Sequence, residues 1–86
     1  MMLTIYSKEG CPYCDKFIAV CELENLPHVV YKLGQEFTQD QFNHVFGEGS
    51  KFPQIQLDRD GEDRVHLGGA SDSITFLQEK QLCCTV

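Results

Sequence analysis

A cysteine pair set where a strand hands over to a helix constrains this chain more than any other feature. Leu3-Thr-Ile-Tyr6 alternates apolar and polar side chains, which is the period of a short strand. Ser7-Lys-Glu-Gly10 follows as a loop, and Cys11-Pro12 opens a helix, because proline is favoured at the first helical position, where its missing N–H costs nothing. Cys14, Phe17, Ile18 and Cys21 then recur at three- and four-residue spacing and form one inward helical face, which Asn25 and Pro27 end. His28-Val-Val-Tyr-Lys-Leu33 reads as a second strand. Strand, helix, strand is a crossover unit with parallel strands. Ligands of open α/β sheets gather at the carboxyl ends of such strands, and Cys11 and Cys14 fall there.

The remaining pattern completes a small α/β domain. Thr38-x-x-Gln41 has capping-box spacing and starts a helix that runs to Phe46, with Gly47 as its stop and Phe42, Val45 and Phe46 as its core face. Gln54–Leu57 and Arg64–Leu67 alternate as strands across a turn built on Asp58-Arg-Asp-Gly61. A last helix from about Ser71 to Leu82 turns Ile74 and Leu77 inward. The order βαβαββα predicts a four-stranded mixed sheet with three helices covering both faces. At 86 residues the expectation is one domain spanning 1–86, with 83–86 as a flexible tail.

Charge narrows the partners. Thirteen Asp and Glu against seven Lys and Arg leave a formal charge of −6, which argues against nucleic acid or an anionic membrane surface. No apolar run approaches the roughly 18 residues of a membrane span. The N-terminus lacks the basic region and cleavage site of a signal peptide. The expectation is a soluble, cytoplasmic monomer.

Five cysteines in such a chain point to redox or metal chemistry rather than a disulfide framework. Cys11, at the first turn, has its sulfur near unpaired backbone N–H groups and the positive end of the helix dipole. Cys14 shares the inward stripe. An exposed, acidified Cys11 and a shielded Cys14 are therefore expected, with Lys8 adding to the effect if its ammonium reaches the sulfur. A lowered thiol gains thiolate but loses intrinsic nucleophilicity, and the two nearly cancel. The clear gain is as a leaving group, so a mixed disulfide on Cys11 is readily cleaved by a second thiol. A zinc site completed by Cys83, Cys84 or a histidine has the wrong ligand spacing, and a redox dithiol is the better reading.

Cys11-Pro-Tyr-Cys14 preceded by Ser7-Lys8, then Phe52-Pro53-Gln54-Ile55, then Gly68-Gly69-Ala-Ser-Asp72, resembles the glutaredoxins across nearly the whole chain. The resemblance implies a thioredoxin-like fold and a glutathione-dependent thiol–disulfide oxidoreductase. Glutathione is then the reductant, with no metal or nucleotide cofactor. It implies Cys11 as nucleophile, Cys14 as resolving cysteine, and a cis peptide before Pro53. Lys8 and Tyr13 would border the glutathione groove, and the backbone of Phe52 would pair with the peptide-like part of the ligand. Ser71 and Asp72 would hold the γ-glutamyl end, and Gln35 would meet the glycyl carboxylate. Lys51 stands where the family often has Thr, and its charge can serve that carboxylate instead. Disulfide-containing or glutathionylated proteins are the implied clients, ribonucleotide reductase among them.

Two other functions compete with this one: a thioredoxin-like electron carrier, and a dimeric module holding an iron–sulfur cluster through Cys11 and glutathione. Pro12 stiffens the turn and disfavours the second. Cys21 reads as a small core hydrophobe and Cys83-Cys84 as a frayed tail. His28, His44 and His66 read as scattered, solvent-facing residues, and the acidic hairpin tip as solvated.

Overall fold

A computed structural model of the chain, in which residues 1–83 are described, arranges seven elements in the expected order. They are β1 (Met2–Ser7), α1 (Pro12–Leu23), β2 (His28–Lys32), α2 (Gln39–Phe46), β3 (Gln54–Asp58), β4 (Val65–Gly68) and α3 (Ala70–Glu79). The sheet runs β2-β1-β3-β4, with β1 parallel to β2 and the other pairs antiparallel. This is a thioredoxin-like topology.

Alternation along the central strands sorts two different layers. Leu3 and Ile5 of β1, with Ile55 and Leu57 of β3, meet Phe17 and Cys21 of α1 and Leu77 of α3, and all are fully buried. Each such aliphatic or aromatic side chain contributes about 1.5–3 kcal/mol by leaving water. Tyr6 points the other way, where its ring meets Phe37 and Phe46 edge-on at 5.3 and 5.1 Å. Helix α2 covers that side with Phe42 and Phe46, so one face of the sheet is aliphatic and closed while the other is aromatic and partly open.

Each helix end has an identifiable cause. Asn25 adopts φ 54° and the Leu26 N–H reaches back to the Cys21 carbonyl at 2.9 Å, which is the left-handed stop expected after α1. Thr38 caps α2 reciprocally: its hydroxyl accepts from the Gln41 N–H at 3.1 Å, and the Gln41 side chain accepts from the Thr38 N–H at 2.8 Å.

Several expectations shift. Strand β2 ends at Lys32, because Leu33 leaves the ladder to bridge Phe37. Val45 is 60% exposed, one step outside the stripe that buries Phe42, and is not core. Helix α3 begins at Ala70 and stops at Glu79, where Gln81 at φ 56° turns the chain and the Leu82 N–H closes on the Leu77 carbonyl. Leu82 and Cys83, the latter the first residue of the expected tail, pack against the aliphatic core. Cys84 and the two residues after it lie outside the described residues. His28 is half-buried rather than solvent-facing, with Nδ1 at 2.7 Å from the Leu26 carbonyl.

Candidate functional site

Strand register brings three loops to one edge of the sheet. Strand β1 ends toward Cys11, and because β3 runs antiparallel to it, Tyr6 pairs with Gln54 at the start of β3. Strand β4 ends at Gly68 opposite Ile55, which delivers the start of α3 to the same edge. Residues widely separated in sequence therefore converge where β1 passes into α1.

Gly10, at φ 67°, turns the chain into the helix, and Cys11 occupies the N-cap with extended backbone. Serine or aspartate commonly serves at such a position; here the acceptor is sulfur. The Cys14 N–H donates to Cys11 Sγ at 3.2 Å, and the Cys11 carbonyl accepts from the Asp15 N–H at 3.1 Å. Pro12 takes the first helical position. Cys11 and Cys14 are joined in a disulfide, with their Cα atoms 5.2 Å apart.

Cys14 is fully buried, as its place on the stripe requires. Cys11 is only 6% exposed, contrary to the open sulfur expected. Its side chain folds over the first turn to reach Cys14 instead of pointing outward. Cys21, further along the same helix, is a fully buried free thiol. Burial, with a smaller push from the Glu22 carboxylate, raises it to about 11, which makes it inert at neutral pH.

Beside the disulfide lies a groove of about 240 Å³ formed by Tyr13, Lys51, Phe52, Pro53 and Gln54 on one side and Gly69 to Asp72 on the other. The Phe52–Pro53 peptide is cis. Five of the residues singled out from sequence meet here: Tyr13, Phe52, Pro53, Ser71 and Asp72. Lys51 joins them. The start of α3 has no side-chain cap, since its N-cap is Gly69, so first-turn N–H groups are available to a bound carboxylate. Gly68, at φ 100°, fits tightly below: a Cβ there would stand 3.1 Å from Asp72 Oδ2.

Lys8 enters indirectly. Its Nζ lies over the Phe52 ring, 5.0 Å from the centroid. Gln35 is not brought to the groove. It sits exposed in the turn after β2, where the bridge between Leu33 and Phe37 and the bond from the Lys32 N–H to Glu36 Oε1 (2.7 Å) curl the chain away.

Sequence reasoning missed the Phe52 side chain. Its ring stacks on Phe42 at 4.1 Å with an interplanar angle of 10°, and Phe37 stacks at 6.3 Å. The signal was present only as isolated aromatics at 6, 37, 42, 46 and 52, whose meeting depends on tertiary packing. Among the described residues, no group of three or more His, Cys, Asp or Glu gathers as a metal site, and no helix is long and apolar enough to cross a membrane.

No protein-family model matches the chain, and no curated protein matches it. Solved structures do. Reduced glutaredoxin from Escherichia coli is 21% identical, with a TM-score of 0.63 over 96% of this chain and 100% of that one. Glutaredoxin 1 from Francisella tularensis, complexed with cacodylate, is also 21% identical, with a TM-score of 0.63 over 94% of this chain and 95% of that one. The chain therefore has the fold of the glutaredoxins, with a disulfide-forming Cys-Pro-Tyr-Cys at the start of its first helix.

Proposed function

We propose that the protein is a glutathione-dependent thiol–disulfide oxidoreductase working through Cys11 and Cys14. The observation that carries this reading is the Cys11–Cys14 disulfide at a helix N-terminus, beside a groove with a cis-proline wall and an uncapped helix start.

Thiolate Cys11 attacks one sulfur of a client disulfide, forming a mixed disulfide and releasing one client thiolate. Cys14 then attacks Cys11 Sγ, releases the second client thiol and leaves the Cys11–Cys14 disulfide. Glutathione thiolate attacks Cys11 Sγ and frees Cys14. A second glutathione attacks the sulfur of the bound glutathione, returning Cys11 as thiolate and leaving oxidised glutathione. Two electrons pass from two glutathione thiols to the client. On glutathionylated clients, Cys11 takes the glutathione directly and Cys14 is not needed. The N–H of Cys14 is suited to support the Cys11 thiolate, as nucleophile in the first step and as leaving group in the last.

Within the groove, the Phe52 backbone beside cis-Pro53 is suited to pair with the cysteinyl part of glutathione. The start of α3, with Ser71 and Asp72, suits the γ-glutamyl carboxylate and ammonium. Lys51, which lines the groove, suits the glycyl carboxylate better than Gln35, which does not.

Steady-state reduction of a small glutathione mixed disulfide, coupled to glutathione reductase, tests this. Turnover is expected for wild type and for Cys14→Ser. No turnover in either, with the proteins folded and their thiols reduced, would overturn the glutathione route and favour a thioredoxin-like carrier.

A further inference from the structure

A second groove, of about 490 Å³, lies on the aromatic face of the sheet, between α2 and the β1–β2 pair. Tyr6, Tyr31, Phe42 and Phe46 line it, with the exposed Val45 at its lip. Glu36 and Asp40 lie on the same groove, and among the described residues neither is in an ion pair. Among the described residues the ion pairs are Arg59–Glu62 and Arg64–Asp58, both at the hairpin. Glu36 accepts a backbone N–H, and Asp40 stands in the first turn of α2. His44 and the phenols of Tyr6 and Tyr31 are the other ionisable groups on the groove.

This surface is also joined to the redox edge. Phe42 belongs to the second groove and stacks on Phe52, which lines the first. A polypeptide seated on α2 is therefore linked through the Phe42–Phe52 stack to the groove at the redox edge. An apolar trough edged by carboxylates that form no ion pair among the described residues fits a large apolar side chain flanked by cations. A second copy of this chain fits poorly, since each copy carries −6 and would bring like charge to like.

We propose that the α2 groove docks client polypeptides through a large apolar side chain flanked by Lys or Arg, selecting which proteins reach Cys11. The proposal rests on the thiol–disulfide exchange reading for its purpose, but its test does not pass through sulfur. Fluorescence anisotropy would measure binding of a labelled, cysteine-free peptide with a central Phe between lysines, against the same peptide with glutamates in place of the lysines. Saturable binding of the lysine peptide is expected, with the glutamate peptide roughly tenfold weaker or worse. Val45→Lys and Asp40→Lys, both at exposed positions, are each expected to weaken the lysine peptide several-fold while circular dichroism shows the fold intact.

Absence of saturable binding, equal affinity for the two peptides, or indifference to both substitutions would overturn the proposal. So would a dimer in sedimentation that Val45→Lys dissociates, since a second copy would then be the occupant. Intact peptide binding combined with no turnover of a glutathione mixed disulfide would count against the redox reading alone.

Discussion

Helix α1 carries thiols of opposite character at its two ends. At its start, Cys11 is the N-cap, its sulfur accepts a backbone N–H, and it is joined to Cys14 in a disulfide. Two turns beyond that pair, Cys21 is sealed in the aliphatic layer, where burial pushes it up to about 11. Both sulfurs are hidden from solvent, so exposure does not separate them. The difference lies in what surrounds each sulfur: oriented N–H dipoles and a groove at one end, hydrocarbon at the other. Thiol chemistry in this fold is a property of the backbone environment more than of the residue.

The comparison is most easily broken at the cysteines themselves. Cys11→Ser is expected to lower glutathione mixed-disulfide turnover by about 10³-fold or more, because no nucleophile replaces the thiolate. Serine still caps the helix, so stability of the reduced protein stays close to wild type. Cys21→Ala is expected to do the reverse, with turnover within about twofold of wild type and a measurable loss of stability from the vacated volume. Parallel kinetics and urea unfolding check both. Equal losses of activity would mean that Cys21 takes part in the chemistry.

A pH series sharpens the contrast. The fold holds Cys21 protonated, at about 11 against an ordinary 9.0. Its contribution is fully present below pH 9 and is lost as pH rises through 11, because the unfolded thiol ionises first. The stability advantage of wild type over Cys21→Ala is therefore expected to fall by about 2–3 kcal/mol across that window. Other titrating groups are common to both proteins and cancel. A pH-independent difference would contradict the burial argument.

The smallest effect compares two N-caps. Thr38→Ala removes the capping box of α2 and is expected to cost about 1 kcal/mol in thermal or urea unfolding, with no change in turnover of the small mixed disulfide. The hydroxyl cap of α2 is structural, whereas the sulfur cap of α1 is, in the proposed mechanism, also the reacting group.

Much of this was legible before the structure. The helix beginning at Pro12, the Asn25 stop, the Thr38–Gln41 box and the hairpin about Gly61 all follow from local chemistry, and local chemistry survives folding. Quantities set by tertiary packing were not legible. Cys11 was expected in the open, yet closure onto Cys14 hides it. Gln35, expected at the glycyl end of the ligand, stands exposed in the turn after β2 and does not line the groove. The spacing of Val45 matched Phe42 and Phe46, yet Val45 stands one step outside the stripe that buries Phe42 and is 60% exposed. The stack of Phe42 on Phe52 joins distant segments and has no periodic signature. Lys51, noted from sequence as a departure from the family pattern, gained weight once the groove was seen to include it.

The central claim is that reactivity resides at the N-cap sulfur of α1. Its most direct test is to incubate reduced Cys14→Ser protein with oxidised glutathione at neutral pH and follow modification residue by residue by peptide mass spectrometry. The account predicts that Cys11 acquires glutathione first and that Cys21 remains unmodified until the protein is unfolded. Modification of another cysteine before Cys11, or of Cys21 in the folded protein, would contradict it.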